Sequence, residues 1–81
     1  PEPSIIVKLY SRISSDENVT VWHISLYMCL LEIWCLSGFK KQFKVSRKNL
    51  MKKAHFGSIT TYHKCIAKLI SLGYITYQPN Y

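Results

Sequence analysis

Residues 46–73 read SRKNLMKKAHFGSITTYHKCIAKLISLG, and their punctuation decides the fold. Ser46 is an N-cap residue in front of Arg47 to Ala54, a short helix that offers Leu50, Met51 and Ala54 to a core and leaves Arg47, Lys48, Lys52 and Lys53 for solvent. His55, Phe56 and Gly57 interrupt the pattern. Ser58 is a second N-cap residue, and the helix that follows from Ile59 to Leu72 is closed by Gly73, a residue suited to the left-handed conformation that ends helices. Two capped helices joined by a Gly-containing turn predict a helix-turn-helix over 46–72.

Beyond Gly73, Tyr74, Ile75, Thr76, Tyr77 and Gln78 alternate in the manner of a strand, and Pro79-Asn80 signals a turn. This predicts a wing strand over 74–78 whose return strand is absent from the chain. A shorter strand is expected at Phe43, Lys44 and Val45. Working backwards, Gly38 closes and Thr20 opens a helix over 21–37, and Ser4 opens a further helix over 4–14. The Ile5-Ile6-Val7 run of that first segment equally allows a strand. The expected fold class is therefore mainly α with a small β wing, a winged helix-turn-helix forming a single domain over 1–81.

The helix over 21–37 is apolar almost all the way round, and a helix with so little polar face must be buried on most sides. Either the N-terminal helix covers it or a second copy of the chain does. The second possibility predicts a homodimer with Trp22, Leu26, Leu30 and Trp34 at the interface.

Charge adds a second layer. Glu2, Asp16, Glu17 and Glu32 are the only acids, so everything after Ile33 is cationic: Lys40, Lys41, Lys44, Arg47, Lys48, Lys52, Lys53, Lys64 and Lys68. The chain carries +7 in 81 residues, and a one-signed surface attracts polyanions, of which nucleic acid is the commonest for a small domain. With 48% hydrophobic residues, two Trp and six Tyr, it has the means to form a core, unlike a disordered basic tail. No paired carboxylates, phosphate-cradling Gly loop or clustered Cys, His and Asp appear, which points away from an enzyme, a cofactor or a small-molecule substrate. Cys29, Cys35 and Cys65 are odd in number and lie in apolar segments, which predicts free buried thiols, no metal site and a cytoplasmic, reducing setting. The run Val21 to Leu36 is shorter than the roughly 20 residues that cross a bilayer and contains His23, Ser25 and Glu32, so no membrane span is expected. The chain opens at Pro1 without an initiating Met, as a fragment or processed piece would.

A recognition helix presents its N-terminal residues to base edges in the major groove. In the helix after Ser58, Ile59, Tyr62, Cys65, Ile66, Leu69 and Ile70 form the inward stripe, leaving Ser58, Thr60, Thr61, His63 and Lys64 as candidates for base contact. Lys40, Lys41, Lys44, Arg47, Lys48, Lys52, Lys53 and Lys68 are candidates for contact with the DNA backbone, which positions a domain without reading sequence. Each has a plainer alternative. A lysine-rich helix face is often only solvated, His63 can be an incidental exposed imidazole, Tyr62 and Tyr74 suit a core better than base stacking, and His23 and His55 suit turns or caps better than ligand binding. Tyr77 and Tyr81 are open between minor-groove contact and covering a helix.

The string HISLYMCLLEIW, followed by FKVSRKNLMKKAHFGSITTYHKCIAKLISLGYITYQPNY, resembles small winged-helix proteins of conjugative and mobilisable transposons of Bacteroidetes. More remotely it is similar to the N-terminal winged-helix domain of DnaD-type primosome proteins and phage replisome organisers. The resemblance covers residues 19–81 and rests on Ile24 to Met28, Ser46-Arg47, Thr61 to Cys65 and Leu72 to Ile75. It implies a winged helix that binds double-stranded DNA, with Thr60, Thr61, His63 and Lys64 in the groove, and a role in transcription regulation or an accessory role in transfer or replication. The competing expectation is an oligomerisation or protein-interaction module in a replication or mobilisation complex. A weaker third is RNA or single-stranded binding, which calls for exposed aromatics in a basic groove.

Overall fold

The computed structural model describes residues 3–76 as four helices: α1 (Pro3–Ser14), α2 (Val21–Leu36), α3 (Arg47–Lys53) and α4 (Ile59–Ser71). The arrangement is organised around α2, on which each of the other three packs. Leu26, Tyr27, Leu30 and Leu31 of α2 are buried together with Ile13 of α1, Leu50 of α3, and Tyr62, Cys65 and Leu69 of α4. Ala54 and Phe56, between α3 and α4, complete the core. Each large apolar side chain fully removed from water contributes about 1.5–3 kcal/mol, and Ile13, Leu26, Leu50 and Leu69 are the most completely enclosed. Ser25 adds a polar tie, its Oγ donating to the Ala54 carbonyl at 3.1 Å and so occupying an acceptor at the end of α3.

The first segment is helical rather than extended. Ile6, Leu9 and Ile13 fall on one side at helical spacing and pack against the core, whereas a strand there would have no neighbour to pair with among the described residues. At the start of α2, the Thr20 amide donates to His23 Nδ1 at 2.8 Å, with Thr20 Oγ1 3.0 Å from the same nitrogen. His23 thus stands where Glu or Gln usually closes a capping box.

Three helix ends share one geometry. After α2, Gly38 takes φ +83, its amide reaches the Cys35 carbonyl at 3.1 Å and the Phe39 amide reaches Trp34 at 3.0 Å. After α4, Gly73 takes φ +83, bonding to Ile70 at 3.0 Å while Tyr74 bonds to Leu69 at 2.9 Å. After α3 the left-handed residue is His55, at φ +65, with bonds from His55 to Lys52 at 3.2 Å and from Phe56 to Met51 at 2.8 Å. All three are Schellman motifs, which satisfy the carbonyls a helix end leaves open. The accompanying apolar contact is clearest at α2, where the Trp34 and Phe39 rings meet edge-on at 4.8 Å.

The expected β wing is not formed, and the winged helix-turn-helix is corrected to an all-helical fold among the described residues. Tyr74, Ile75 and Thr76 form no strand; Tyr77 and Gln78, the rest of the expected element, lie outside the described residues. A lone strand has no ladder partner for its amides and carbonyls. Tyr74 is instead the residue that completes the last Schellman motif. Its hydroxyl donates to Asp16 Oδ2 at 2.6 Å, its ring lies 5.4 Å from that of Tyr27, and the Arg12 guanidinium stands 5.0 Å over it. Phe43 to Val45 is not a strand either. Its alternation reflects burial alone, with Phe43 and Val45 packed on the core and Lys44 in water.

The dimer interface expected along α2 is also corrected in part. Leu26 is 0% and Leu30 8% exposed, so both are already consumed by the chain's own core. Trp34 is half-buried against Phe39. The exposed apolar residues of α2 are Val21 and Trp22 at its start and Leu36 at its end, about 20 Å apart at 1.5 Å per residue, with α1, α3 and α4 lying along the helix between them.

Candidate nucleic-acid interface

The side chains expected to touch DNA come from α3, α4 and the connector before α3. Each has a place set by local structure. Ser46 and Ser58 cap α3 and α4 with their own hydroxyls, which accept from the Asn49 and Thr61 amides, each at 3.3 Å. Ser58 Oγ thus serves its helix as an acceptor and keeps its own O–H free to donate.

Along α4, successive residues turn by about 100°. Tyr62, Cys65 and Leu69 form the buried edge. Thr60, Lys64 and Ser71 point away from it and are exposed. Thr61 and Lys68 lie on one flank, where Thr61 is half-buried and the Lys68 ammonium acts electrostatically on Asp16 and His23. Ala67 shares that outward face, and His63, also exposed, stands at its border with the flank of Ile59, Ile66 and Ile70. The five residues expected at the bases are thus not one group: Thr60 lies on the outward face with Lys64 and His63 on either side of it, Thr61 is half-buried on a flank, and Ser58 is a cap. Ile59 and Ile70, assigned inward from their spacing, are 44% and 39% exposed, because α2 covers only one edge of α4.

All nine cations after Ile33 are exposed, yet they do not form one continuous sheet of charge. Arg47, Lys48 and Lys52 line an open groove of about 620 Å³ between α3 and the start of α4, together with Met51, Phe56 and Ile59. Lys44 and Lys53 line a second groove of about 400 Å³ beside Ile33 of α2. Lys53 pairs there with Glu32, the only ion pair among the described residues. Both side chains are about half exposed, so the pair contributes little to stability, but it removes Lys53 from the free cations. Lys40 and Lys41 lie exposed on the connector.

Several other ionisable groups serve the fold. Tyr74 donating to Asp16, with the Asn18 amide bonding the same carboxylate at 2.8 Å, holds the Asp16 carboxyl below its ordinary range. Burial pushes the Cys29 and Cys65 thiols up, keeping them protonated at neutral pH. Cys35 is exposed, contrary to the expectation of three buried thiols. Among the described residues no group of His, Cys, Asp or Glu could hold a metal ion, and no helix is long and apolar enough to cross a membrane. No protein-family model matches this chain, and no curated protein or solved structure is significantly similar to it.

Proposed function

We propose that this domain binds double-stranded DNA through the outward face of α4 and the cations of α3. The observation that carries the reading is the surplus of charge: every cation after Ile33 is exposed and only Lys53 has a carboxylate partner among the described residues. Arg47, Lys48, Lys52 and Lys64, with Lys40 and Lys41 on the connector, would neutralise phosphates. Thr60 and Lys64, at the start of a helix whose outer face nothing covers, are the residues best placed to meet base edges. Regulation of transcription, or an accessory role in transfer or replication of a mobile element, is the biological setting we attach to it. That setting rests on the resemblance carried by Ile24 to Met28, Ser46-Arg47, Thr61 to Cys65 and Leu72 to Ile75, and its cytoplasmic location on the cysteine content alone.

The test is binding of a labelled duplex to the full chain at several salt concentrations. If about five phosphates are neutralised, log affinity falls against log salt with a slope of about −4 to −5. Lys64→Glu combined with Lys48→Glu should weaken binding more than tenfold, with the thermal melt little changed. Absence of binding at low salt would end the proposal.

A further inference from the structure

The groove between α3 and α4 has a feature that duplex binding does not use. Its rim is cationic, from Arg47, Lys48 and Lys52, but its floor is apolar, from Met51, Phe56 and Ile59. Phosphates need only the rim. A floor of that kind gains free energy only when apolar groups cover it.

Two kinds of soluble polymer combine negative charge with apolar surface: a single strand with unstacked bases, and an acidic peptide carrying large apolar side chains. Bases are held by stacking on open aromatic faces. The one aromatic residue of this floor, Phe56, is 6% exposed, its ring already engaged by Trp22 at 5.4 Å and Tyr62 at 6.0 Å. What remains accessible is aliphatic: Ile59 is 44% exposed and Met51 is half-buried. Methionine and isoleucine suit Leu or Phe side chains, and the unbranched thioether adapts its shape to them. The charge of the occupant follows from the rim, since no carboxylate lines the groove and none pairs with the three cations among the described residues.

We propose that this groove docks an acidic amphipathic segment of another protein, apolar side chains inward and carboxylates on Arg47, Lys48 and Lys52, in the helix-in-groove manner. Its rim overlaps the cations assigned above to phosphates, so segment and DNA exclude one another. The site itself stands whether or not the domain binds DNA.

The test uses the full chain and four labelled probes: a synthetic peptide with Leu and Phe on one helical face and Glu and Asp on the other, a charge-matched control with Ser in place of Leu and Phe, an oligothymidine, and a duplex. Fluorescence anisotropy should show the amphipathic peptide binding about tenfold or more tighter than its control, the effect of burying one or two large apolar side chains. Ile59→Ser should weaken the amphipathic peptide about fivefold or more and leave the duplex within about twofold. Lys48→Glu should weaken both. Because Ile59 is half exposed, the variant is expected to keep its fold, and Met51→Gln gives a second reading of the same floor. Equal binding of the two peptides would overturn the proposal by showing that charge alone acts. So would an Ile59→Ser effect confined to the oligothymidine, which would make the groove a cradle for single strands. Failure of the duplex to bind while the amphipathic peptide does would remove only the DNA reading.

Discussion

α2 and α4 are both apolar helices with a Thr or Ser cap at the start and a left-handed glycine at the end, but the molecule uses them in opposite ways. α2 has an apolar residue at nearly every position and receives a helix on three sides. α4 spends one edge on the core, Tyr62, Cys65 and Leu69, and leaves its outer face and one flank uncovered. The width of an apolar stripe therefore states how many neighbours a helix has, and in a chain of this size only one helix can have three. Such a helix supplies the interior, and the two-faced one is left for contact with other molecules.

The strongest way to break this comparison is to hollow out each helix in turn. Leu26→Ala should cost about 2–5 kcal/mol, because a fully enclosed leucine leaves a cavity its neighbours cannot close, whereas Lys64→Ala on the outer face of α4 should stay within about 0.5 kcal/mol. Urea denaturation of both variants measures the difference; similar values would mean that α2 is not the enclosed element. Next in size are the helix ends. Gly38→Ala and Gly73→Ala force a side chain into the left-handed region and should each cost about 1–2 kcal/mol. His55→Gly should instead add about 0.5–1 kcal/mol, while Gly57→Ala, with open space around its Cβ and no positive φ, should not destabilise. A third comparison removes a cap: Ser58→Ala should cost about 1 kcal/mol, measured by thermal melt against the parent chain.

The smallest effect separates the two helix starts by pH. His23 caps α2 through a neutral Nδ1 that accepts from Thr20, and partial burial, then the Lys68 ammonium, hold its pKa below the ordinary 6.5. A base depressed on folding binds fewer protons in the folded than in the unfolded chain. Its contribution is complete above pH 6.5 and is lost as pH falls through the folded value. Stability should thus decline as pH falls below about 6.5, and His23→Gln, which keeps an acceptor at that position without titrating, should flatten the decline. An unchanged decline in the variant would assign it to another group.

Much of the helical skeleton was legible because its signals are local. Thr20, Ser46 and Ser58 mark the starts of α2, α3 and α4, Gly38 and Gly73 mark the ends of α2 and α4, and helical spacing placed Leu50, Tyr62, Cys65 and Leu69 inside. His23 and His55 read as turn or cap residues rather than ligands; His23 closes the capping box of α2 and His55 carries the left-handed turn after α3. The end of α3 was less clear: Gly57 looked like the residue that makes the turn, whereas His55 carries the positive φ, a conformation histidine tolerates more often than most side chains. The wing failed for a different reason. Period-2 alternation is only a burial pattern: Phe43 and Val45 are half-buried against helices, adjacent Tyr74 and Ile75 both pack on the core, and among the described residues no second strand makes a ladder. The candidate site was only partly legible, since spacing shows which face a residue is on but not how much of that face a neighbour covers. That limit put Ile59 and Ile70 inside, and Leu26 and Leu30 in an interface. The Glu32–Lys53 pair lay beyond sequence reasoning, its partners sitting on different helices.

Because α1, α3 and α4 each rest on α2 rather than on one another to a comparable extent, the structure behaves as a hub with three spokes. Losing a spoke uncovers one side of the hub, while losing the hub leaves the spokes nothing to hold. In native-state hydrogen exchange the amides around Leu26 to Leu31 should open only with the whole chain, and those of α1, held by α2 and by the contacts of Arg12 and Asp16 with Tyr74, should open at lower free energy. A partner gripping α3 would then steady that spoke and leave the release of α1 largely unchanged, whereas one gripping α4 would reach α1 only through Tyr74.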